Sequence, residues 1–407
     1  MNSRPYYTMT TFLQQAVRRG LYLLVIAALT LTACENDSLL SPEPPAEDLF
    51  TNYVALGNSI TAGFQSDGIN GQTQQASYAV LLAQQMGTSF TVPELNLPGC
   101  PPPLTNPLTG ERVGGPDAPE CALRATPPPR RINNTAVPGA AVLDALSNLD
   151  MESNANTLTT LILGGRTQVE RAAEVNPTFA SVWLGNNDVL GAALSGVVTP
   201  DNVTSPDVFQ QRYSAVLDQL EAAGAEGGVL VGVADVTQVP HLSPGAAYFG
   251  AEQQGALPPT FQVDASCAPA ALGGVGEETL VPFGYGFGEL LTAAQGGTEV
   301  TLNCGADARV LSAEELTSLG TAVASYNAII EEEATTRGWA YYSPNPTFAQ
   351  LRAAGDIPLF PDVQNPTALF GPIFSLDGVH PSSTAHELVA EEIADAIDAT
   401  YGTSLSP

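Results

Sequence analysis

From residue 52 onward, short apolar runs alternate with amphipathic stretches. Asn52 to Gly57 is an apolar run that stops at a glycine, the pattern of a buried strand entering a turn. Ser77 to Met86 then sets Tyr78, Leu81, Leu82 and Met86 on one side, the spacing of a helix. A helix is expected around 156–174, followed by a second buried strand from Phe179 to Gly185. Arg212 to Ala223 is amphipathic and leads into the apolar run Gly228 to Asp235, typical of a strand covered on both faces. Ser312 with Glu315 forms a capping-box signature, and the helix it opens continues through Leu316, Leu319, Val323, Tyr326, Ile329 and Ile330. Trp339 to Tyr342 reads as a last strand and Ser383 to Tyr401 as a closing helix. Alternating strands and helices predict one α/β domain, 51–407, built on a parallel sheet with helices on both faces.

Two stretches break the alternation. Residues 97–132 are rich in proline, and 240–310 are rich in Gly, Pro and Ala with only a possible short helix near Glu289 to Ala294. Both read as long loop insertions, each of which would need a staple or packing to order it. Each also contains two cysteines. Four cysteines allow three pairings; Cys100–Cys121 and Cys267–Cys304 are favoured because each pair brackets one loop, with free buried thiols as the alternative. Gly284 to Gly288 superficially resembles a nucleotide loop but lacks a preceding strand. It is expected to be a mobile, aromatic-bearing loop near a substrate, with Phe283, Tyr285 and Phe287 serving either as substrate contacts or as local core.

The N-terminus has a different pattern. Residues 1–33 carry Arg4, Arg18 and Arg19, no acid, and an apolar run from Leu21 to Leu31 too short to span a bilayer. Leu31-Thr32-Ala33-Cys34 resembles the lipobox of bacterial lipoproteins. That implies a signal peptide over 1–33, lipidation at Cys34, a polar proline-bearing tether over 34–50, and a membrane-anchored protein of the bacterial cell envelope. An ordinary signal peptide with an incidental cysteine is the alternative.

Composition narrows the chemistry. The 407 residues carry 42 acidic and 13 basic side chains, a formal charge of −29, and every basic residue is an arginine. Removal of 1–33 would take three arginines and no acids, leaving 42 against 10, or −32. So acidic a surface repels phosphate backbones, which argues against nucleic acid as a partner. The absence of lysine excludes Walker-A loops, Ser-x-x-Lys catalysis and Schiff-base chemistry. Without a Cys-x-x-Cys, and with only three histidines, neither a metal site nor a cofactor is expected.

Ligands of open α/β sheets bind beyond the carboxyl ends of the strands. At the end of the first strand stands Gly57-Asn58-Ser59-Ile60-Thr61-Ala62-Gly63, in which Ser59 is either an exposed nucleophile or a helix cap. At the end of another stands Gly185-Asn186-Asn187-Asp188, where the Asn187 amide either donates to an oxyanion or closes an Asx-turn. Between them, Gly139 offers a backbone N–H or merely a tight turn. Of the histidines, His241 has no acid close in sequence, and His386 beside Glu387 is expected on a solvated helical face. His380 lies three residues after Asp377 in a turn, a spacing that lets Asp377 hold Nδ1 and leaves Nε2 free to take a serine proton.

These blocks, in this order, resemble those of the SGNH (GDSL-type) hydrolases: Gly57-Asn-Ser59-Ile with Gly63, then Gly139, then Gly185-Asn-Asn187-Asp188, then Asp377-x-x-His380-Pro381, spanning about residues 53–400. The resemblance implies a flavodoxin-like three-layer α/β/α sandwich with five parallel strands and an ester-hydrolysing activity. It makes Ser59 the nucleophile, His380 the base and Asp377 its orienter. The oxyanion hole would comprise the backbone N–H groups of Ser59 and Gly139 and the side chain of Asn187, with Asp188 supporting the loop. The family's usual Gly-Asp-Ser-Leu reads Gly-Asn-Ser-Ile here, and activity is expected to survive Asn58. The expected substrate is a small-molecule or lipid ester, with lipid type the first choice. The competing expectation is an inactive surface lipoprotein that binds glycan or lipid.

Overall fold

Five-residue strands with no exposed position form the centre of the molecule. In the computed structural model, which describes residues 46–122 and 129–405, strands β1 (Tyr53–Gly57), β2 (Phe179–Trp183) and β3 (Gly227–Val231) are buried at every residue. With β4 (Ala340–Tyr342) they make a parallel sheet in the order β1-β2-β3-β4. Strands without a solvated face must be covered on both sides, which is why they read as continuous apolar runs.

The covering helices follow. On one face lie α2 (Tyr78–Gln85) and α6 (Ser383–Tyr401), packed against each other. On the other lie α4 (Pro206–Ala223), α5 (Ala313–Arg337) and the short helices Val142–Leu146 and Gln168–Ala173. The Ser312–Glu315 capping box is formed as the sequence predicts. The helix expected around 156–174 is two helices, Thr157–Leu163 and Gln168–Ala173, divided by Gly164 and Gly165 at positive φ. Large aromatic side chains tie the layers together: Trp183 of β2 meets Tyr78 of α2 edge to face at 5.3 Å.

The α/β/α class is as expected; the strand count is not. Among the described residues the sheet has four strands. The fifth position, beside β1, is occupied by an extended segment that pairs through a single parallel bridge, Ala55 with Asn134. Its pairing goes no further because the Gly57 N–H, which the next rung would use, is taken by Gln168 Oε1 at 3.0 Å, although the Val137 N–H still reaches the Gly57 carbonyl at 3.2 Å. With that segment counted second in the chain, the spatial order is 2-1-3-4-5, which puts the switch point at the carboxyl end of β1.

Both insertions are ordered where described. Residues 240–310 carry paired strands Leu242–Pro244 with Leu280–Pro282 and Phe261–Val263 with Val300–Leu302, the helix Gly245–Gln253, and an apolar cluster around Tyr248, Phe261 and Leu302. The disulfides Cys100–Cys121 and Cys267–Cys304 are both formed. Gly284 to Gly288, expected as a mobile loop, is part of the helix Gly284–Leu291, with Phe287 buried and stacked on Phe283 at 5.0 Å; the short helix expected near Glu289 to Ala294 continues it through Thr292–Gln295. Leu49 and Phe50 are buried in the main core, so the folded unit begins before residue 51. The expected signal peptide, Cys34 and the tether up to residue 45 lie outside the described residues. Among the described residues, no helix is long and apolar enough to cross a membrane.

Candidate active site

Ser59 is placed by the turn out of β1. Gly57 ends the strand where an added Cβ would fall 2.1 Å from Thr61 Oγ1, so the turn closes only around a glycine. Gln168 secures the same point from the side: its amide accepts from the Gly57 N–H and donates to the Gly57 carbonyl, both at 3.0 Å. Asn58 caps the short helix α1 (Ser59–Ala62) by accepting from the Ile60 N–H, while its Nδ2 donates to Asn186 Oδ1 at 3.3 Å. Ser59 therefore occupies the first helical position, where no acceptor lies one turn back for its N–H.

His380 and Asp377 arrive from the turn before α6. His380 Nε2 lies 2.8 Å from Ser59 Oγ, and His380 Nδ1 lies 2.8 Å from Asp377 Oδ2. Asp377 is saturated with donors. Oδ1 accepts the backbone N–H groups of Val379 and His380, each at 2.8 Å, and Oδ2 accepts the Asp67 N–H at 2.7 Å. Burial alone would raise the Asp377 pKa, but the facing His380 and these N–H groups outweigh it and hold the carboxyl well below its usual range. Because a carboxylate only accepts, Nδ1 carries the imidazole proton and Nε2 turns a lone pair toward Ser59.

The donors on the far side are held by two other buried carboxylates. Asn187 opens α3 (Asn187–Ser195) and donates from Nδ2 to the Ala140 carbonyl at 2.9 Å, leaving the second amide hydrogen of that group for a ligand. Gly139 sits at φ 84°, a left-handed turn that suits glycine. Asn154 Nδ2 donates to the Gly139 carbonyl at 2.8 Å, and Asp144 accepts the N–H groups of Ala141 and Asn154 at 2.7 and 2.6 Å. Asp188 accepts the Val142 N–H at 3.0 Å and the Thr204 hydroxyl at 2.9 Å. Burial raises the pKa of both acids, Asp188 to about 6.

Two cavities meet at Ser59, Asn187, Leu190, Val379 and His380. The first, about 380 Å³, is walled by Ile60, Ala234, Val236, Val239, Phe348 and Phe374. Several of its polar side chains are already engaged: Asp235 accepts from Thr237, Asn345 donates to the Val233 carbonyl, and Asn58 and Asn186 bond each other, while Gln238 stands exposed at its edge. The second, about 450 Å³, adds Gly139, Phe64, Asp67, His241 and Phe283.

The structure thus brings Ser59, Asp377, His380, Asn187 and Gly139 together, with Asp188 directly behind. His386 is a correction to the sequence reading. It is fully buried between α6 and α2, where Nδ1 accepts the Tyr78 N–H at 3.2 Å and burial pushes its pKa down to about 3. Sequence reasoning missed Gln168, Asp67, Asp144 and Asn154. Gln168 acts on the backbone of Gly57 111 residues away, Asp144 and Asn154 act on backbone groups within a stretch that shows no periodicity, and Asp67 gives Asp377 an N–H, which any non-proline residue supplies.

A parallel α/β fold with a serine, histidine and aspartate in one hydrogen-bonded chain at the carboxyl edge of its sheet is the arrangement of a hydrolase. The chain belongs to the GDSL-like lipase/acylhydrolase family, whose model matches residues 53–393, and it is a hydrolase of carboxylic esters. A comparison with curated protein sequences finds no match. Among solved structures it is similar to Axe2, an acetylxylan esterase from Geobacillus stearothermophilus, at 11% identity and a TM-score of 0.37, covering 87% of this chain and 95% of that one. It is also similar to LAE5, an alpha/beta hydrolase enzyme from the metagenome of Lake Arreo, Spain, at 11% identity and a TM-score of 0.37, covering 86% and 95%. Likeness at this level says nothing about the substrate.

Proposed function

We propose that Ser59, His380 and Asp377 hydrolyse esters through an acyl-enzyme. The observation that carries this reading is the continuous chain of 2.8 Å contacts from Asp377 Oδ2 through the imidazole to Ser59 Oγ. As His380 Nε2 takes the hydroxyl proton, Oγ bonds to the ester carbonyl carbon, and the carbonyl π electrons move onto oxygen. The N–H groups of Ser59 and Gly139 and the Asn187 amide receive that oxyanion. When the tetrahedral centre collapses, the bond to the alcohol oxygen breaks and His380 returns the proton to it. Water, deprotonated by the same Nε2, then releases the acid from Ser59.

The first cavity, walled mainly by apolar side chains, takes the acyl chain; the second, into which His241 turns Nε2, takes the alcohol half. A fluorophosphonate probe should label the wild-type protein and leave Ser59→Ala unlabelled. Folded wild-type protein that resists the probe would favour a binding protein that has lost catalysis.

From the sequence of residues 1–34 we further propose export and lipid anchoring at Cys34, in the cell envelope, with the ester substrate met at the membrane. Metabolic labelling with a radiolabelled fatty acid should mark the wild type and not Cys34→Ala.

A further inference from the structure

The second cavity contains a histidine that ester cleavage does not use. The His241 backbone N–H donates to the Gly378 carbonyl at 2.9 Å, and its Nδ1 lies 2.9 Å from the Asp377 carbonyl. A carbonyl only accepts, so Nδ1 must carry the ring proton and Nε2 the lone pair. Two imidazoles therefore hang from opposite ends of one residue: His380 from the Asp377 carboxylate, His241 from the Asp377 carbonyl. Each turns Nε2 away from Asp377. That of His380 reaches Ser59, whereas that of His241 meets no protein partner among the described residues and is not sealed from the cavity it shares with Ser59, Gly139 and Asn187.

The surrounding wall explains what such an acceptor selects. Phe64, Leu104, Pro107, Leu190 and Phe283 offer no hydrogen bond, and the His241 ring packs edge-on against Phe283 at 5.8 Å. The acid in this wall that lies nearest solvent, Asp67, has its carboxylate tied to Arg112 at 2.5 Å. Burial is the largest effect and pushes the His241 pKa down, against the opposing Asp377 carbonyl and carboxylate and with His380 adding to the fall, which favours the neutral ring. A neutral acceptor in an apolar wall rewards a donor with no charge.

We propose that His241 is a substrate-recognition residue whose Nε2 accepts a hydrogen bond from a free hydroxyl borne close to the ester, so that esters of polyols are preferred over esters of simple alcohols. The inference rests on the serine-hydrolase reading of Ser59, and its chemistry is shared by two sources of polyol, glycerol and sugars.

The test uses the full chain and three butyrate esters, of 1-propanol, of glycerol (the monoester) and of methyl glucoside at its primary hydroxyl. Wild type should show kcat/KM about tenfold higher for the glycerol or the sugar ester than for propyl butyrate, the ratio expected of one neutral hydrogen bond. The arm that gains tells glycerol from sugar. His241→Asn places an amide donor where Nδ1 stood and nothing where Nε2 stood, so that ratio should collapse toward one. His241→Gln carries an oxygen to the Nε2 position and should restore part of it. An enzyme that hydrolyses all three esters without preference overturns the proposal, as does an unchanged ratio in His241→Asn. An equal loss on all three esters in both variants also overturns it, because His241 would then merely position Asp377. If wild type resists the fluorophosphonate probe and cleaves none of the esters, the serine-hydrolase reading itself has failed; if it is labelled and cleaves them indifferently, only the role of His241 has failed.

Discussion

At the scale of single residues, Asp377 organises the site and Asn187 completes it. Asn187→Ala removes one of the proposed oxyanion donors and also deprives the buried Ala140 carbonyl of its partner. kcat on p-nitrophenyl butyrate should fall about 100- to 1000-fold in a protein that still folds but melts a few degrees lower. A wild-type rate would overturn the assignment. Asn58, where aspartate is commoner in the family, has a local reason: its Nδ2 donates to Asn186 Oδ1, and a carboxylate there would oppose that oxygen until the Asn186 amide turned over.

Two buried groups outside this chain set opposing pH responses. Asp188, at about 6 against an ordinary 3.8, holds its proton more tightly in the fold, so between those values stability rises as pH falls. His386, at about 3 against 6.5, stays neutral in the fold while the unfolded chain charges, so stability falls as pH drops through 6.5. Over roughly pH 4 to 6 the two offset each other. Asp188→Asn should therefore make stability fall more steeply on acidification, and His386→Phe should make it rise. Each slope should change by up to one proton, on the order of 1.4 kcal/mol per pH unit, read from urea melts across that range. Unchanged slopes would contradict the burial of these groups. The location of His386 was legible in the sequence, because 386, 389, 390, 393 and 397 share one helical face and all are buried. The neighbouring Glu387 is no guide to it, because adjacent helical positions point in different directions. His241 was not legible: its partner lies 136 residues away, and no local pattern announces a bond to a backbone carbonyl.

Elements with strong periodicity were read correctly, and those closed by distant contacts were not. Helix α6 runs over the span its pattern predicts, β1 and β2 fall inside their apolar runs, and β3 begins one residue before its run and ends four residues short of it. The insertion 240–310 looked structureless because its strands are three residues long, too short for alternation to register. What orders it is its own small core and the Cys267–Cys304 link across 37 residues. Closing a loop of that length contributes roughly 3–4 kcal/mol by the chain-entropy model. The Cys267→Ser/Cys304→Ser double variant should melt lower and lose selectivity in the second cavity, since Phe283 is carried by that insertion. It should still react with a fluorophosphonate. Loss of labelling together with retained helical content would mean that the insertion also shapes Ser59.

At the scale of the whole molecule, a formal charge of −29 puts repulsion everywhere on the surface, with few arginines to relieve it. Those present gather acids: Arg337 pairs with Asp218, Glu221 and Glu333. Salt screens surface repulsion over distances near 10 Å at about 0.1 M, so the melting temperature should rise by a few degrees between low salt and 1 M sodium chloride. A fall would mean that specific pairs such as those of Arg337 outweigh the general repulsion.

The contacts that build the site span nearly the whole chain. Ser59 meets His380 across 321 residues, and Asp67 meets Asp377 across 310. Ser66 and Ser375 bond across 309. Synthesis therefore delivers the serine early and its base late, and every chain still growing carries a hydroxyl with nothing to activate it. Reactivity at Ser59 is in effect a certificate of completion: a probe that labels it counts only molecules in which the turn before the last helix has already reached the end of the first strand.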